Sequence, residues 1–270
     1  MRRVSFALLA AAASACTAAA PPAPAPTASP AWPAGTLVDL SHAYGDDTVF
    51  WPTAESFKLD RVADGVTEKG YYYAANNFAS SEHGGTHIDA PVHFAKGHLA
   101  VDAIPLEQLI GPAIVVDVTA ASGQNADYQI PVSDLTAWER EHGAIESGAI
   151  VLFRTGFSGR WPDAARYLGT ADRGDAAVAK LHFPGLHPDA AKWLVDRKVH
   201  AVGLDTASID YGQSTMYESH RVLYEHDIPA FENLTNLDRL PARGAFVVAL
   251  PMKIKGGSGS PLRAIAMLPQ

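Results

Sequence analysis

Four side chains able to bind a metal ion or move a proton, His83, His87, Asp89 and His93, fall within eleven residues of the stretch Ser80–Phe94, SSEHGGTHIDAPVHF. Imidazole and carboxylate are the preferred ligands of Zn²⁺, Mn²⁺ and similar ions. Such an ion lowers the pKa of a bound water to about 7 in favourable cases, which makes hydroxide available at neutral pH. A neutral histidine beside it can take or relay the proton. Three ligands and a base are a sufficient kit for hydrolysis. Gly84, Gly85, Thr86 and Pro91 disfavour a helix here. In an extended chain alternate residues face the same way, and positions 83, 87, 89 and 93 are all odd, so an extended run turns all four to one side. A histidine taken singly is more often a surface or satisfied core group. Four in phase among Gly and Pro are not the usual core pattern.

The elements that would carry this motif alternate in type. Ala113–Val118, Ala149–Phe153, Val199–Leu204, Ala245–Leu250 and Leu262–Leu268 are continuous apolar runs of strand length. Such runs fit strands buried on both faces. Between them, Ser133–Glu141 follows Pro131. Pro188–Arg197 spaces Ala190, Ala191, Leu194 and Val195 as one helix face, with Pro188 near its start. Thr215–Glu225 reads as a third helix. Strands alternating with helices predict α/β architecture.

The chain has 270 residues and a formal net charge of −8, with 47% hydrophobic and 19% charged residues, a globular composition that suits one domain. It has no dense Lys/Arg run, which argues against a nucleic-acid partner. No Walker or dinucleotide fingerprint surrounds Gly203, Gly212 or Gly256–Gly259, and Ser158 and Ser208 lack a nucleophile elbow. Residues 1–20 read as an export signal, with Arg2 and Arg3 before the apolar stretch Phe6–Ala15, which is too short to span a membrane. Ala13-Ser14-Ala15-Cys16 resembles a bacterial lipobox with Ala where Leu is preferred. A lipid anchor at Cys16 would tether the protein, and cleavage near Ala20 would release it to the periplasm. Cys16 is the only cysteine, so a metal site in the mature domain must use His and carboxylate. Residues 21–35 are an Ala/Pro-rich linker, and the folded domain is expected over 36–270.

The motif His83, Gly85, Thr86, His87, Asp89, Ala90, Pro91, His93 resembles the signature of the cyclase family of metal-dependent hydrolases, which includes bacterial kynurenine formamidases and isatin hydrolases. The resemblance continues through Asp205-Thr206, Ser208 and Asp210, through Ser219–Leu223 and Glu232-Asn233-Leu234, and into Lys253–Ala266. It implies a swivelling β/β/α domain and a homo-oligomer, dimeric or tetrameric. It implies His83, His87, Asp89, His220 and Glu232 as ligands of one or two divalent ions, Mn²⁺ or Zn²⁺, with His93 as catalytic base or proton shuttle. The residues alone would not have singled out His220 and Glu232. Trp51-Pro52 is followed by Thr53-Ala54 where kynurenine formamidases often carry Gly-Asp. The stretch Phe157–Phe183 is also longer than in those enzymes. Both departures, with Arg154–Phe157, point toward the isatin-hydrolase side.

Trp51, Phe57, Tyr71, Tyr72, Tyr73 and Phe78 precede the motif. They either wall an aromatic substrate pocket, with Trp51, Phe57, Tyr73 and Phe78 as its candidates, or pack the core. The other seven histidines, His42, His98, His142, His182, His187, His200 and His226, read as structural or exposed. The expected activity is hydrolysis of an amide or cyclic amide of an aromatic small molecule. Two readings stand beside it: an exported metal- or ligand-binding protein without turnover, and a cyclase or lyase acting on a carbonyl compound.

Overall fold

The computed structural model describes residues 35–268; the expected export signal, Cys16 and the expected linker as far as Ala34 lie outside the described residues. Twelve strands run in chain order: β1 Leu37–Asp39, β2 Lys58–Val66, β3 Tyr72–Ala79, β4 His87–Asp89, β5 Ile110–Asp117, β6 Gln129–Ile130, β7 Ile150–Arg154, β8 Gly185–Leu186, β9 Ala201–Leu204, β10 Ala230–Glu232, β11 Arg243–Pro251 and β12 Gly259–Met267. Eight of them form one sheet in the order β1-β12-β11-β5-β7-β9-β10-β4. Its strands β5, β7, β9 and β10 are parallel neighbours, and the other pairings in it are antiparallel. Strand β4 also pairs with β12, Gly259 opposite Asp89 and Pro261 opposite His87, so the sheet closes into a barrel. Strands β2 and β3 pair only with each other, as a hairpin.

The continuous apolar runs are explained by this closure. On β5 and β7, Ala113, Val115, Ile150 and Leu152 pack into one core cluster with Val38, Ile88, Phe231, Val247 and Ala264. The intervening Ile114, Val116, Val151 and Phe153 pack on the opposite face against Leu135, Trp138, Ala191, Leu194 and Leu223. Both faces are covered, so the period-2 alternation of a half-exposed strand is missing. The helices on the outer face include Val132–His142, Pro188–Asp196 and Glu218–Tyr224. The second starts where Pro188 predicts, and the imidazole of His187 accepts the backbone N–H of Asp189 as its cap. The α/β architecture read from the sequence is therefore the one observed.

A smaller apolar cluster lies beside the barrel. It joins Val49 to Phe157, Tyr167, Leu168, Leu181 and Phe183, with Trp51 and Trp161 packed against it. The long stretch Phe157–Phe183 thus folds back onto the loop Val49–Ala54. The buried carboxylate of Asp205 fixes the start of that stretch, accepting from Thr155 N at 2.7 Å, Thr155 Oγ1 at 2.6 Å and Gly156 N at 2.9 Å.

Candidate metal centre

Strand β4 puts His87 and Asp89 on one face and Ile88 on the other, where Ile88 enters the core. Register brings a third group to them, because Glu232 on β10 sits directly opposite His87. The helix Glu218–Tyr224 supplies His220 from above, buried with its neighbours Ser219, Leu223 and Tyr224.

The extended run expected over 83–93 holds only for His87–Asp89. Before the strand, Gly85 takes φ +56°, the left-handed region that glycine occupies without strain. A Cβ at Gly84 would lie 2.0 Å from the Phe50 ring, and one at Gly85 would lie 2.5 Å from the Tyr44 ring. After the strand, Pro91–His93 forms a short 3₁₀ turn. His83 and His93 therefore reach the strand's face through turns, and their rings stack with centroids 3.8 Å apart.

Asp89 is the hub. His83 Nδ1 lies 2.6 Å from its Oδ1, and His87 Nε2 lies 3.2 Å from the same oxygen. Its Oδ2 lies 3.5 Å from His220 Nε2 and 3.9 Å from His93 Nε2, and accepts the Tyr224 hydroxyl at 2.9 Å. Glu232 is 3.4 Å from His87 Nε2 and 3.3 Å from His220 Nε2. Two triplets of side chains, His83–His87–Asp89 and Asp89–His220–Glu232, each present ligand atoms within 4.8 Å of one another. Asp89 belongs to both.

The residues present fit divalent ions. Nε2 of His87 is buried and has no hydrogen-bond partner, although carboxylate oxygens flank it without hydrogen-bond geometry. Its Nδ1 faces Gly85 O at 3.0 Å. A carbonyl only accepts, so the ring proton sits on Nδ1 and the lone pair on Nε2 points into the cluster. His220 is set the same way, its Nδ1 2.5 Å from the Asp210 carboxylate. The two buried carboxylates conflict electrostatically. Burial and the charge of Asp89 push the Glu232 carboxyl up, whereas Asp89, against its own burial, is held well below the usual carboxylate range by the imidazoles around it. A divalent cation held by these two carboxylates would relieve that conflict. Burial lowers His93 to about 4, which leaves it neutral at neutral pH.

These groups form the floor of a cavity of about 300 Å³, walled by Val49, Phe50, Trp51, Phe94, Ala207 and Tyr217. Of the four aromatic pocket candidates, Trp51 lines it. Phe57 instead packs between Tyr44 and Phe78, at 5.6 and 6.1 Å. Tyr73 and Phe78 stand exposed on the β2–β3 hairpin, away from the cavity wall. Phe50, Phe94 and Tyr217 are wall residues that the sequence reading did not select. Phe94 follows the motif directly, and that adjacency is the one signal that would have found it.

Comparison with known proteins places this geometry among relatives. The family model named Cyclase matches residues 38–211. An isatin hydrolase of Roseibium aggregatum is 35% identical over 74% of this chain and 77% of its own length. A kynurenine formamidase of Salinibacter ruber is 32% identical over 85% of this chain and 96% of its own. Among solved structures, isatin hydrolase A from Ralstonia solanacearum superposes with a TM-score of 0.77 at 38% identity, covering 86% of this chain and 92% of that one. An isatin hydrolase bound to the product analogue thioisatinate gives 0.76 at 30% identity, covering 87% and 92%.

Proposed function

The chain belongs to the cyclase family of metal-dependent hydrolases, and from that membership we propose that it hydrolyses an amide or cyclic amide of an aromatic small molecule. The observation that carries the reading is Asp89, shared by two His/carboxylate triplets on the floor of an aromatic-walled cavity. His83, His87, Asp89, His220 and Glu232 would hold one or two divalent ions, Mn²⁺ or Zn²⁺. Such an ion supplies a Lewis acid for the carbonyl oxygen and a source of hydroxide at neutral pH. His93, neutral and open to the cavity, takes or relays the proton at Nε2. Phe50, Trp51 and Phe94 stack against the substrate ring and keep bulk water from the reacting carbonyl.

The cavity lining contains no Lys or Arg among the described residues. N-formylkynurenine carries an α-carboxylate that would find no Lys or Arg partner in that lining. A neutral bicyclic amide such as isatin makes no such demand, so the isatin-like substrate is the one we favour.

The reading extends to assembly and place. Leu59, Val62, Val66, Tyr71, Tyr72, Tyr73 and Phe78 are all more than half exposed on or beside one hairpin. Exposed apolar side chains concentrated on one hairpin suit contact with a second copy of the chain. The export signal and Cys16 support a periplasmic or membrane-tethered protein.

The test is turnover of isatin beside N-formylkynurenine by the mature domain, metal-stripped and then resupplied with Mn²⁺ or Zn²⁺. Metal-restored hydrolysis of isatin in preference is expected. Bound metal without hydrolysis of either compound would sink the substrate assignment.

A further inference from the structure

His87 is held from behind by a buried line of three groups, the Gly85 carbonyl, Asn233 and Tyr167, with Asn233 Nδ2 itself 3.5 Å from His87 Nδ1. Gly85 O, which accepts His87 Nδ1–H at 3.0 Å, also accepts Asn233 Nδ2 at 2.7 Å. Asn233 Oδ1 in turn accepts the Tyr167 hydroxyl at 2.8 Å. The amide's orientation follows from its partners. Turning it over would set Oδ1 against the Gly85 oxygen, and two acceptors repel. Tyr167, Asn233 and His87 are all at most 2% exposed, so none of these bonds is exchanged for water. Asn233 also stands at φ +55°. Glycine would adopt that backbone with less strain, so what asparagine adds at this position is its amide. Tyr167 comes from the long stretch Phe157–Phe183, which ties that segment to the metal cluster as well as to the cavity wall.

We propose that Asn233, braced by Tyr167, is a positioning residue that fixes the Gly85 carbonyl and through it the Nδ1–H tautomer and ring angle of His87, so that Nε2 faces the ion. The proposal rests on His87 being a ligand. Groups that orient a ligating imidazole in this way typically change metal affinity by about 10–100-fold when removed.

Asn233→Gly tests it, because glycine keeps the left-handed backbone and deletes only the amide. Mn²⁺ and Zn²⁺ affinities of the purified protein would be measured by chelator competition, beside thermal melting of the metal-stripped form. The expected result is a metal-free melting temperature close to wild type with affinity weakened about 10–100-fold. Tyr167→Phe removes one oxygen and should weaken affinity several-fold. Should Asn233→Gly fail to fold, Tyr167→Phe gives the same reading. Nitrogen NMR of the histidine rings in the metal-free protein reports His87 as a single Nδ1–H tautomer in wild type and as a mixture in the variants. Wild-type affinity and a single tautomer in the variants that fold, with His87→Ala losing metal, would overturn the proposal and leave the site assignment standing. Wild-type affinity in His87→Ala would instead remove His87 as a ligand.

Discussion

Arg173 donates a hydrogen bond to the main-chain carbonyl of Trp51 at 3.1 Å, and so a residue outside the cavity fixes one that lines it. Its guanidinium also bonds the carbonyls of Phe50 and Ala54, and Gly174 N donates to Pro52 O at 2.9 Å. The loop that walls the cavity is thus stapled to the stretch Phe157–Phe183. Each such bond contributes about 0.5–1.5 kcal/mol, and the exposure of Arg173 puts it at the low end. Arg173→Ala should raise KM for an aromatic substrate about 3–10-fold, with kcat and metal content unchanged. Steady-state kinetics on the metal-loaded protein would check this, and an unchanged KM would count against the staple.

His93 is 3.9 Å from Asp89 Oδ2, beyond hydrogen-bond reach, and its ring opens on the cavity. His93→Ala should lower kcat by about 10²–10⁴-fold, the usual contribution of a positioned acid–base group, while metal content by elemental analysis stays at wild type. A variant with full metal and full activity would remove His93 from the chemistry.

Stability should fall on mild acidification partly through His42. Burial lowers this imidazole to about 4, with Asp39 pulling the other way, and its ring stacks on Trp161 at 4.1 Å. An unfolded chain takes up the proton near pH 6.5, the folded protein only near pH 4. The contribution of His42 is therefore complete above pH 6.5 and is lost as pH drops from there toward 4. Melting temperatures across that range should decline less steeply in His42→Gln than in wild type. Parallel slopes would show that His42 titrates alike in both states.

The apolar hairpin should govern assembly. Light scattering on size-exclusion fractions should give a dimer or larger for wild type. Leu59→Lys with Val62→Lys should give a smaller species whose fold by circular dichroism is unchanged. A monomeric wild type would defeat the assignment of this surface to a second copy.

The central strands were legible in the sequence because burial on both faces writes itself as an unbroken apolar run, as in Ala149–Phe153. His83, His87, Asp89 and His93 were legible as a group because one short segment carries them all. Glu232 was not, since what brings it to His87 is the register of β10 on β4, a pairing across 145 positions that no local pattern encodes. Resemblance supplied it. Asp210 lies ten residues before His220, and only the fold shows that its carboxylate orients that ring. Phe57, Tyr73 and Phe78 illustrate the reverse. An aromatic residue near a motif looks the same in sequence whether it faces a cavity, a neighbour or solvent.

Strand β4 is three residues long, yet it is the rung through which β10 and β12 meet. So short a strand contributes few ladder bonds of its own, and its hold on the two neighbours rests on the burial of Ile88 and on the groups gathered around His87 and Asp89. An ion drawn to His87 and Asp89 would lend its binding energy to that closure. Loading and barrel closure would then be one cooperative event. A half-folded chain would offer no competent site, and a loaded chain would resist unzipping at the seam where its early and late segments join.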